Sequence, residues 1–326
     1  MAEEKKLEQT KHSFKLRGVI TRLDSSNAVK TGETGNHKPY KRLSFGVKTS
    51  ELNEIFVELF GMEKDKVFAY NQKEQKSLQL DWNKRHNVPE GYQIIGVRVN
   101  PGEESEAEYL TEMDAVEKIL ENFKDGDSVY IGGDLVINAY TNNNGDKIKS
   151  IRYQIRSISK LKNDLDFDSE NFKETNAFES TIVYINGEKA DNEFVITGRH
   201  ISHDETFEDY TYVVDLNKFK KLASNIKKNL KFGDVIKLKG HCWNHVITEE
   251  LDDTDDGDDW GGEDPNGIDV ITRHEAKLEV TNVDTKSWVK GKYKEEDFLP
   301  FDTEDPFDND DDFDPFASDD EDDIFG

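Results

Sequence analysis

Cysteine is almost absent from this sequence, since Cys242 is the only one among 326 residues. A single thiol excludes a framework of disulfides within the chain and favours a reducing, cytoplasmic compartment. Long apolar runs are missing as well: there is no stretch of about 18 apolar residues, so we expect no membrane span and no membrane partner. The first residues, MAEEKKLEQTKHSF, have no apolar core and do not predict a signal peptide.

Two segments lack lysine and arginine altogether. Residues 249–264 carry 10 acidic side chains and residues 295–326 carry 16, and neither segment contains a basic one. These 26 acidic charges account for all but one of the net charge of -27, so the remainder of the chain is nearly neutral. The total charge argues against a nucleic-acid binder, but the charge of the body alone does not.

Motifs of the common enzyme classes are also missing, including G-x-x-x-x-G-K-[ST], G-x-G-x-x-G, H-E-x-x-H and G-x-S-x-G. We therefore do not expect an enzyme. In HCWNH (241–245), strand alternation places His241, Trp243 and His245 opposite Cys242, which favours a packed or solvated strand over a metal site. The spacing of the aspartates in the acidic segment that begins at Glu249 does not match that of a calcium-binding loop. The sequence predicts no metal and no cofactor.

The chain does contain alternating apolar and polar residues, which are typical of half-buried strands. The alternation covers residues 14–23, 41–49 and 53–61, and a segment rich in Gly, Ser and Asn (25–39) lies between the first two. We expect that segment to be a mobile loop. Further along, NNNGD joins two alternating segments, and Asn-Gly is the strongest short hairpin signal.

The apolar spacing changes to a helical period twice. The residues concerned are Met113, Val116, Leu120 and Phe123 in the first predicted helix, and Leu216, Phe219, Leu222, Ile226 and Leu230 in the second. Thr111 and Asp114 predict a capping box at the start of the first helix. Each helix leads through a Gly-Asp pair into a strand, and eight positions match at a constant offset of 107 residues. A structural repeat is therefore predicted.

The predicted element order is strand, loop, strand, strand, helix, strand, hairpin, strand, which is the order of a five-stranded OB-fold barrel. The sequence thus predicts a mainly β protein with two OB-fold domains, each with one helix, and a disordered acidic tail. The predicted boundaries are 1–11 for a disordered N-terminus, 12–165 for the first barrel with inserted strands at about 62–105, 166–290 for the second barrel with an acidic loop at 249–267, and 291–326 for the tail. The first strand of the second barrel is either 180–187 or 194–200.

OB barrels hold oligonucleotides or oligosaccharides on strands two and three and on the loops that join strands 1–2 and 4–5. In the first predicted barrel these elements carry Lys and Arg beside aromatic residues, and this combination suits a nucleic-acid chain with unpaired bases. The predicted DNA-binding residues are Lys38, Tyr40, Lys41, Arg42, Phe45, Lys48, Phe56, Trp82, Lys84, Arg85, Tyr140, Lys147, Lys149, Arg152, Tyr153 and Arg156.

Alternatives remain for several of these residues. About half of the aromatic residues on an alternating strand face the core, which favours a core position for Phe45, Phe56 and Phe60. Trp82 is either a stacking residue or a packed one. The second barrel is predicted to be the weaker binder, because its acidic loop would repel phosphates. Dimerisation or protein contacts are its alternative roles.

The chain ends in DDEDDIFG, and the acidic segment before this end also contains Phe298, Phe301, Phe307, Phe313 and Phe316. Tandem OB barrels followed by such a tail resemble single-stranded DNA-binding proteins, most of all the phage-encoded replication versions. The matching residues, predicted to bind a partner, are Asp319, Asp320, Glu321, Asp322, Asp323, Ile324 and Phe325. Gly326 departs from the pattern, because the bacterial members of that family end in Phe.

This resemblance implies a protein that coats and protects single-stranded DNA in replication, recombination or repair. Its tail would recruit a polymerase, helicase or recombinase, and it would also compete with DNA for the basic groove of the protein. The expected location is the cytoplasm, that of the host cell if a phage encodes the protein. Two alternatives stay open: an acidic interaction protein (a DNA mimic or a chaperone), and an OB-fold binder of RNA or oligosaccharide. The sequence sets no oligomeric state.

Overall fold

The alternating segments form β-strands in the computed structural model, which describes residues 6–102, 106–141, 147–250 and 270–298. Within these residues the strands are β1 (His12–Thr21), β2 (Val29–Glu33), β3 (Pro39–Ser50), β4 (Asn53–Met62), β5 (Lys66–Asn71), β6 (Lys76–Asp81), β7 (Gln93–Ile94), β8 (Val97–Asn100), β9 (Glu108–Leu110), β10 (Ser128–Thr141), β11 (Lys147–Lys160), β12 (Thr175–Ala190), β13 (Glu193–Ile201), β14 (Phe207–Asp215), β15 (Val235–Glu250) and β16 (Val270–Val289). The helices are α1 (Glu112–Asn122) and α2 (Leu216–Asn229), with short 3-10 helices at Trp82–Lys84 and Glu295–Phe298.

Five strands of the first half close into a barrel. β1 pairs antiparallel with β3 and with β10, β3 pairs with β4, and β10 pairs with β11. A parallel contact between β4 and β11, at Val57 and Tyr153, closes the ring. α1 lies in the chain between the third and fourth strands of this ring. The order and the position of the helix are those of an OB-fold, as the sequence predicts.

The second half closes in the same way. β12 pairs with β13 and with β15, β13 pairs with β14, and β15 pairs with β16. A parallel contact between β14 and β16, at Val213 and Glu279, completes the second ring, and α2 again precedes the fourth strand. The first strand of this barrel is β12, which contains residues 180–187, so the earlier of the two candidate segments is the correct one.

The two barrels repeat each other in the turn that follows each helix, which confirms the predicted repeat. Gly126 and Gly233 both have a positive φ, +87° and +82°, which favours glycine in this turn. Asp127 and Asp234 are both buried, and each carboxylate accepts a hydrogen bond of 3.1 Å from the backbone N–H three residues before it. The turns therefore share one hydrogen-bonding scheme at the predicted offset.

The barrels join along two strand edges. β1 pairs antiparallel with β12, and β4 meets β15 at Asn53 and His245, so both rings belong to one sheet of thirteen strands. Beside this junction the side-chain amides of Asn53 and Asn176 donate to the carbonyl oxygen of Cys242, at 3.1 and 3.0 Å. The bond from Asn53 crosses between the barrels, and a buried amide–carbonyl hydrogen bond of this kind helps to hold one barrel against the other.

The inserted segment forms a second, smaller sheet. Its strands are β6, β5 and β7 in that order, and its inner face buries Val67, Ala69 and Ile94 in a separate apolar cluster. The remaining inserted strands, β8 and β9, extend the large sheet beside β11.

The ends of the described chain differ from their predictions. Residues 6–11, predicted to be disordered, pack against the second barrel, where Leu7 is 9% exposed. Phe298, predicted to belong to the tail, is 8% exposed and packs against Phe207, Phe232 and Tyr293. The contacts are made by residues far apart in the sequence, and local composition does not reveal such contacts.

Two local predictions in the first barrel also need correction. The segment 25–39, expected to be a mobile loop, contains β2, which forms a hairpin with β3. Leu120 lies on the outer side of α1 and is 40% exposed, while Ala115, Val116 and Ile119 face the core. The N-cap half of the predicted capping box is present, since Thr111 Oγ1 accepts from the backbone N–H of Asp114 at 3.2 Å, and the Asp114 carboxylate accepts from the Thr111 hydroxyl at 2.7 Å.

Candidate nucleic-acid interface

The outward side chains of β3, β4 and β11 form a surface that we call the barrel-1 face. On β4 the residues Ile55, Val57 and Leu59 point inward and are buried, so the alternating residues Phe56 and Phe60 point outward. Their side chains are 37% and 44% exposed. Two large exposed aromatic residues on one face of one strand, here on either side of Glu58, are uncommon unless they contact something outside the fold.

Arginine side chains surround Phe56. Arg42 on β3 and Arg152 on β11 both reach the carboxylate of Glu58, at 2.6 and 3.6 Å. The guanidinium of Arg22 lies 4.9 Å from the centre of the Phe56 ring, which is a cation–π contact. An open groove of about 310 Å³ lies between these side chains of β3, β4 and β11.

Cations also lie beside Phe60. Lys64 and Arg156 share the carboxylate of Glu112, at 3.1 and 3.5 Å, and a groove of about 210 Å³ lies between them and the Phe60 ring. The ring of Tyr40 is 5.5 Å from that of Phe60, centre to centre. The barrel-1 face therefore has an aromatic centre with cationic edges on both sides.

A carboxylate accompanies every cation described above, and this limits the charge of the face. Arg22 pairs with Glu54 at 3.0 Å, and Arg156 pairs with Asp134 at 2.7 Å as well as with Glu112. These pairs hold the guanidinium groups in defined positions at the surface. A phosphate chain would have to compete with the carboxylates, so ring contacts count for more here than bare charge.

Two predicted DNA-binding residues need correction, because Phe45 lies in the core and Tyr153 is partly buried against it. Phe45 is 1% exposed because Leu43, Phe45 and Val47 occupy the inward positions of β3. Tyr153 points inward from β11, and its ring packs edge-on against Phe14 at 5.3 Å. Burial, together with the neighbouring thiol of the second barrel, raises the pKa of Tyr153 well above its ordinary value. Neither ring is placed to stack on a base.

Three further predicted lysines are held by carboxylates, and two of them, Lys41 and Lys149, lie away from the barrel-1 face. Lys41 points toward α1 and pairs with Glu117 there. Lys149 reaches across to the second barrel, where its ammonium group lies 3.1 Å from Glu208. Lys48 stands at the far end of β3 and pairs with Glu51 at 2.5 Å. These three lysines have structural partners, and only Lys48 shares the outward side of β3 with Arg42.

Three other predicted residues, Lys38, Trp82 and Arg85, are held by contacts within or beside the insert. Lys38 donates to Asp65 at 2.7 Å, and this hydrogen bond lowers the pKa of the Asp65 carboxyl. Trp82 is half-buried against the small sheet, and the guanidinium of Arg85 covers its ring at 4.4 Å. Arg85 in turn pairs with Asp114 at the start of α1, at 2.9 Å. Trp82 is thus a packed residue rather than a stacking one.

Lys84 is exposed and lies 3.2 Å from Asp81. The side chains of Tyr140 and Lys147 lie outside the described residues, although their backbones pair in the β10–β11 hairpin. The predicted partner-binding residues, 319–325, also lie outside them. The sequence favoured a core position for Phe56 and Phe60, which are exposed, and gave no reason to select Arg22 or Lys64. The regular alternation of Ile55, Val57 and Leu59 was the signal that Phe60 points outward.

The second barrel presents a different outer face. On β14 the outward positions next to the core residues Tyr212 and Val214 hold Thr211 and Val213. Arg199 on β13 is bound on both sides, since it pairs with Asp209 at 2.7 Å and covers the Phe207 ring at 4.3 Å. Within the described part of β13 and β14, no large aromatic side chain is exposed as on β4. The described outer side of β13 and β14 therefore lacks an exposed aromatic centre.

The described residues show neither a metal-binding cluster nor a membrane-spanning helix. No group of three or more His, Cys, Asp or Glu side chains there is arranged to hold a metal ion. No helix in the same residues is long and apolar enough to cross a membrane.

Comparison with known proteins identifies a family. A family model described as YorF matches residues 11–305. Curated protein sequences give no match. Among solved structures, the chain is similar to the wild-type single-stranded DNA binding protein from Thermus aquaticus, at 10% identity and a TM-score of 0.39, over 85% of this chain and 93% of that chain. A deletion mutant of that protein gives 10% identity and a TM-score of 0.40, over 85% and 95% of the two chains. Because the family model covers most of its length, this chain belongs to the YorF family.

Proposed function

We propose that the protein binds single-stranded DNA on the barrel-1 face. The observation that carries this proposal is the pair of exposed rings, Phe56 and Phe60, at the third strand of an OB barrel and between cationic side chains of β3 and β11. An exposed ring offers a flat surface on which any base can stack, at about 1–3 kcal/mol per base. Stacking on a ring needs an unpaired base, so a single strand fits this face better than a duplex.

The salt dependence of binding follows from the paired charges. Each phosphate that a cation neutralises contributes about -0.7 to the slope of log affinity against log salt for a single strand. Arg42, Arg152 and Arg156 each have a carboxylate partner, so a phosphate gains less from them than from an isolated cation. We expect a shallow slope and a binding energy that comes mainly from stacking.

The proposed setting is DNA replication, recombination or repair, in a phage or a cellular genome, because single strands arise in all of them. Residues 295–326 contain 16 acidic side chains and no basic one. We propose that Ile324 and Phe325, with the acidic residues before them, dock on a partner such as a polymerase, helicase or recombinase. The carboxylates would meet a basic rim and the two apolar side chains an apolar slot.

Fluorescence anisotropy of labelled oligonucleotides tests the proposal with the full chain. The probe is a dT strand of about 30 nucleotides, longer than the roughly 4–16 that one OB fold covers, with a duplex and an rU strand of the same length as comparisons. The expected result is binding of dT that exceeds duplex binding at every salt concentration. Equal binding of dT and duplex, or binding of neither at low salt, would contradict it. Tighter binding of rU would assign the face to RNA instead.

A further inference from the structure

The outer face of the small inserted sheet carries exposed rings that the barrel-1 face does not use. On β5 the residues Val67 and Ala69 point into the apolar cluster, so Phe68 and Tyr70 point outward, where they are 52% and 38% exposed. Ile95, which follows β7 and donates its backbone N–H to the carbonyl oxygen of Phe68 at 2.7 Å, is 60% exposed. We call this surface the insert face.

One part of the insert has a charge opposite in sign to that of the whole chain. Residues 64–86 contain six Lys or Arg and three Asp or Glu, although the chain as a whole carries -27. Lys66 and Lys84 share one carboxylate, that of Asp81, which lowers its pKa. Residues 64–86 thus have a surplus of cations close to the exposed rings, and this charge complements a phosphate chain.

Polar amides flank the two rings. Gln79 on β6 pairs in register with Phe68, and Gln93 on β7 pairs in register with Tyr70. Residues at i and i+2 of a strand stand on the same face about 7 Å apart, so the two rings can hold adjacent bases. Amide side chains beside them can donate and accept hydrogen bonds at base edges.

We propose that the insert face is a second stacking platform for the same single strand, so that the DNA path continues from the barrel-1 face onto the small sheet. This inference rests on the proposed function. The two faces are also near each other in the chain. Phe60 of the barrel-1 face and Phe68 of the insert face are eight residues apart, so at most about 28 Å separates them. Lys64 lies between them in the chain and shares Glu112 with Arg156 of the barrel-1 face.

A single strand is a better occupant of this face than a protein. Protein-docking faces have an apolar centre in which several side chains lie together. Here Ile95 is the one large aliphatic side chain that the structure shows strongly exposed beside Phe68 and Tyr70, and the strand positions paired with the two rings hold the polar residues Gln79, Ser77 and Gln93. Two rings between amides and cations resemble the surface that unpaired bases require.

The test compares two strand lengths with variants of the full chain. One dT strand has about 8 nucleotides, within the range of a single OB fold, and the other has about 30. Phe68→Ala with Tyr70→Ala is expected to weaken binding of the long strand by about fivefold or more and to leave the short strand unchanged. Phe68→Trp should retain the affinity. Ile95→Ala is the matched control, since it removes an exposed apolar side chain without a ring.

The outcomes separate this inference from the proposed function. Unchanged affinity of the double variant for the long strand would overturn the insert face as a platform. So would an equal loss for Ile95→Ala, because that pattern belongs to an apolar docking face. If Phe56→Ala with Phe60→Ala weakens both strands while the insert variants weaken neither, the proposed function stands and the inference fails. If the barrel variants weaken neither strand, the proposed function fails. Thermal unfolding of every variant checks that its fold is intact.

Discussion

At the scale of single residues, the orientation of phenylalanines decides what the first barrel can contact. Phe45 and Phe56 lie on neighbouring strands, where Phe45 pairs with Val57 and Phe56 pairs with Gly46, yet Phe45 is 1% exposed and Phe56 is 37% exposed. The difference follows from strand alternation, because Phe45 occupies an inward position of β3 and Phe56 an outward position of β4.

Phe56→Ala and Phe60→Ala should each weaken binding of a dT strand by about 1–3 kcal/mol and leave the unfolding free energy within about 0.5 kcal/mol of the parent. Anisotropy titration and urea denaturation measure the two quantities. Leu52→Ala serves as control, because Leu52 is 69% exposed at the turn between β3 and β4 and outside the barrel-1 face. Phe45→Ala should instead cost about 3–5 kcal/mol of stability. Wild-type affinity in both ring variants would contradict the assignment.

Glu58 offers a second prediction, because it holds Arg42 and Arg152 beside Phe56. Glu58→Gln removes a negative charge from the proposed phosphate path and can still accept hydrogen bonds. It is expected to tighten dT binding about fivefold at low salt and to steepen the salt dependence, since a unit charge at 4 Å in water is worth about 1 kcal/mol. Glu117→Gln is the matched control, since Glu117 pairs with Lys41 on the side of α1. Equal effects of the two variants would count against the path.

At the scale of elements, the fourth strand of each barrel carries a bulge at a glycine. β10 shifts register between Gly132 and Gly133, and β15 shifts between Lys239 and Gly240. A Cβ at Gly133 would lie 1.8 Å from the carbonyl oxygen of Gln154, so a side chain cannot be placed there without moving β11. The bulge therefore requires glycine, and it bends the strand around the barrel.

Gly133→Ala is accordingly expected to lower the free energy of unfolding by about 1–3 kcal/mol or more, measured by urea denaturation. Gly35→Ala is the control, because a Cβ at Gly35 meets no atom within 4 Å. A variant of Gly133 as stable as that of Gly35 would show that the barrel does not depend on the bulge.

The sequence predicted the strands and helices better than it predicted the contacts of single side chains. The strand alternation, the N-cap at Thr111 and the offset of 107 residues all predicted structure that is present. Hydrogen-bond patterns within a helix or turn depend on neighbouring residues, so local sequence carries them. The burial of Leu7 and Phe298 depends instead on contacts across the chain. For the same reason the sequence could not show that Lys41 pairs with α1 or that Tyr153 packs at the junction.

At the scale of the whole molecule, a pair of histidines stands where the barrels meet. His12 on β1 and His200 on β13 stack with ring centres 3.6 Å apart and planes 1° from parallel. His12 Nε2 lies 2.7 Å from Thr10 Oγ1, and His200 Nε2 is hydrogen-bonded to Tyr212. Burial lowers the pKa of His12 to about 3 and that of His200 well below its ordinary value. Both rings are therefore neutral near pH 7, as their stacking requires.

This pair predicts a pH dependence of stability. The unfolded chain binds protons at these histidines below about pH 6.5, whereas folded His12 does so only near pH 3. Between these values the unfolded state holds more protons, so stability rises with pH and falls on acidification, by up to about 1.4 kcal/mol per pH unit for each histidine. Urea denaturation from pH 7 to pH 5 should show a smaller fall for His12→Gln than for the parent. His37→Gln, at an exposed side chain, should not alter the fall. Parallel curves for parent and His12→Gln would refute the prediction.

The position of bound DNA tests the central claim most directly. A dT strand carrying 5-iodouracil can be photo-crosslinked to the full chain, and mass spectrometry then identifies the attached residues. Binding on the barrel-1 face predicts crosslinks at Phe56 and Phe60, whose rings are the exposed aromatic groups of β4. Crosslinks confined to the second barrel, with none on β3, β4 or β11, would contradict the account.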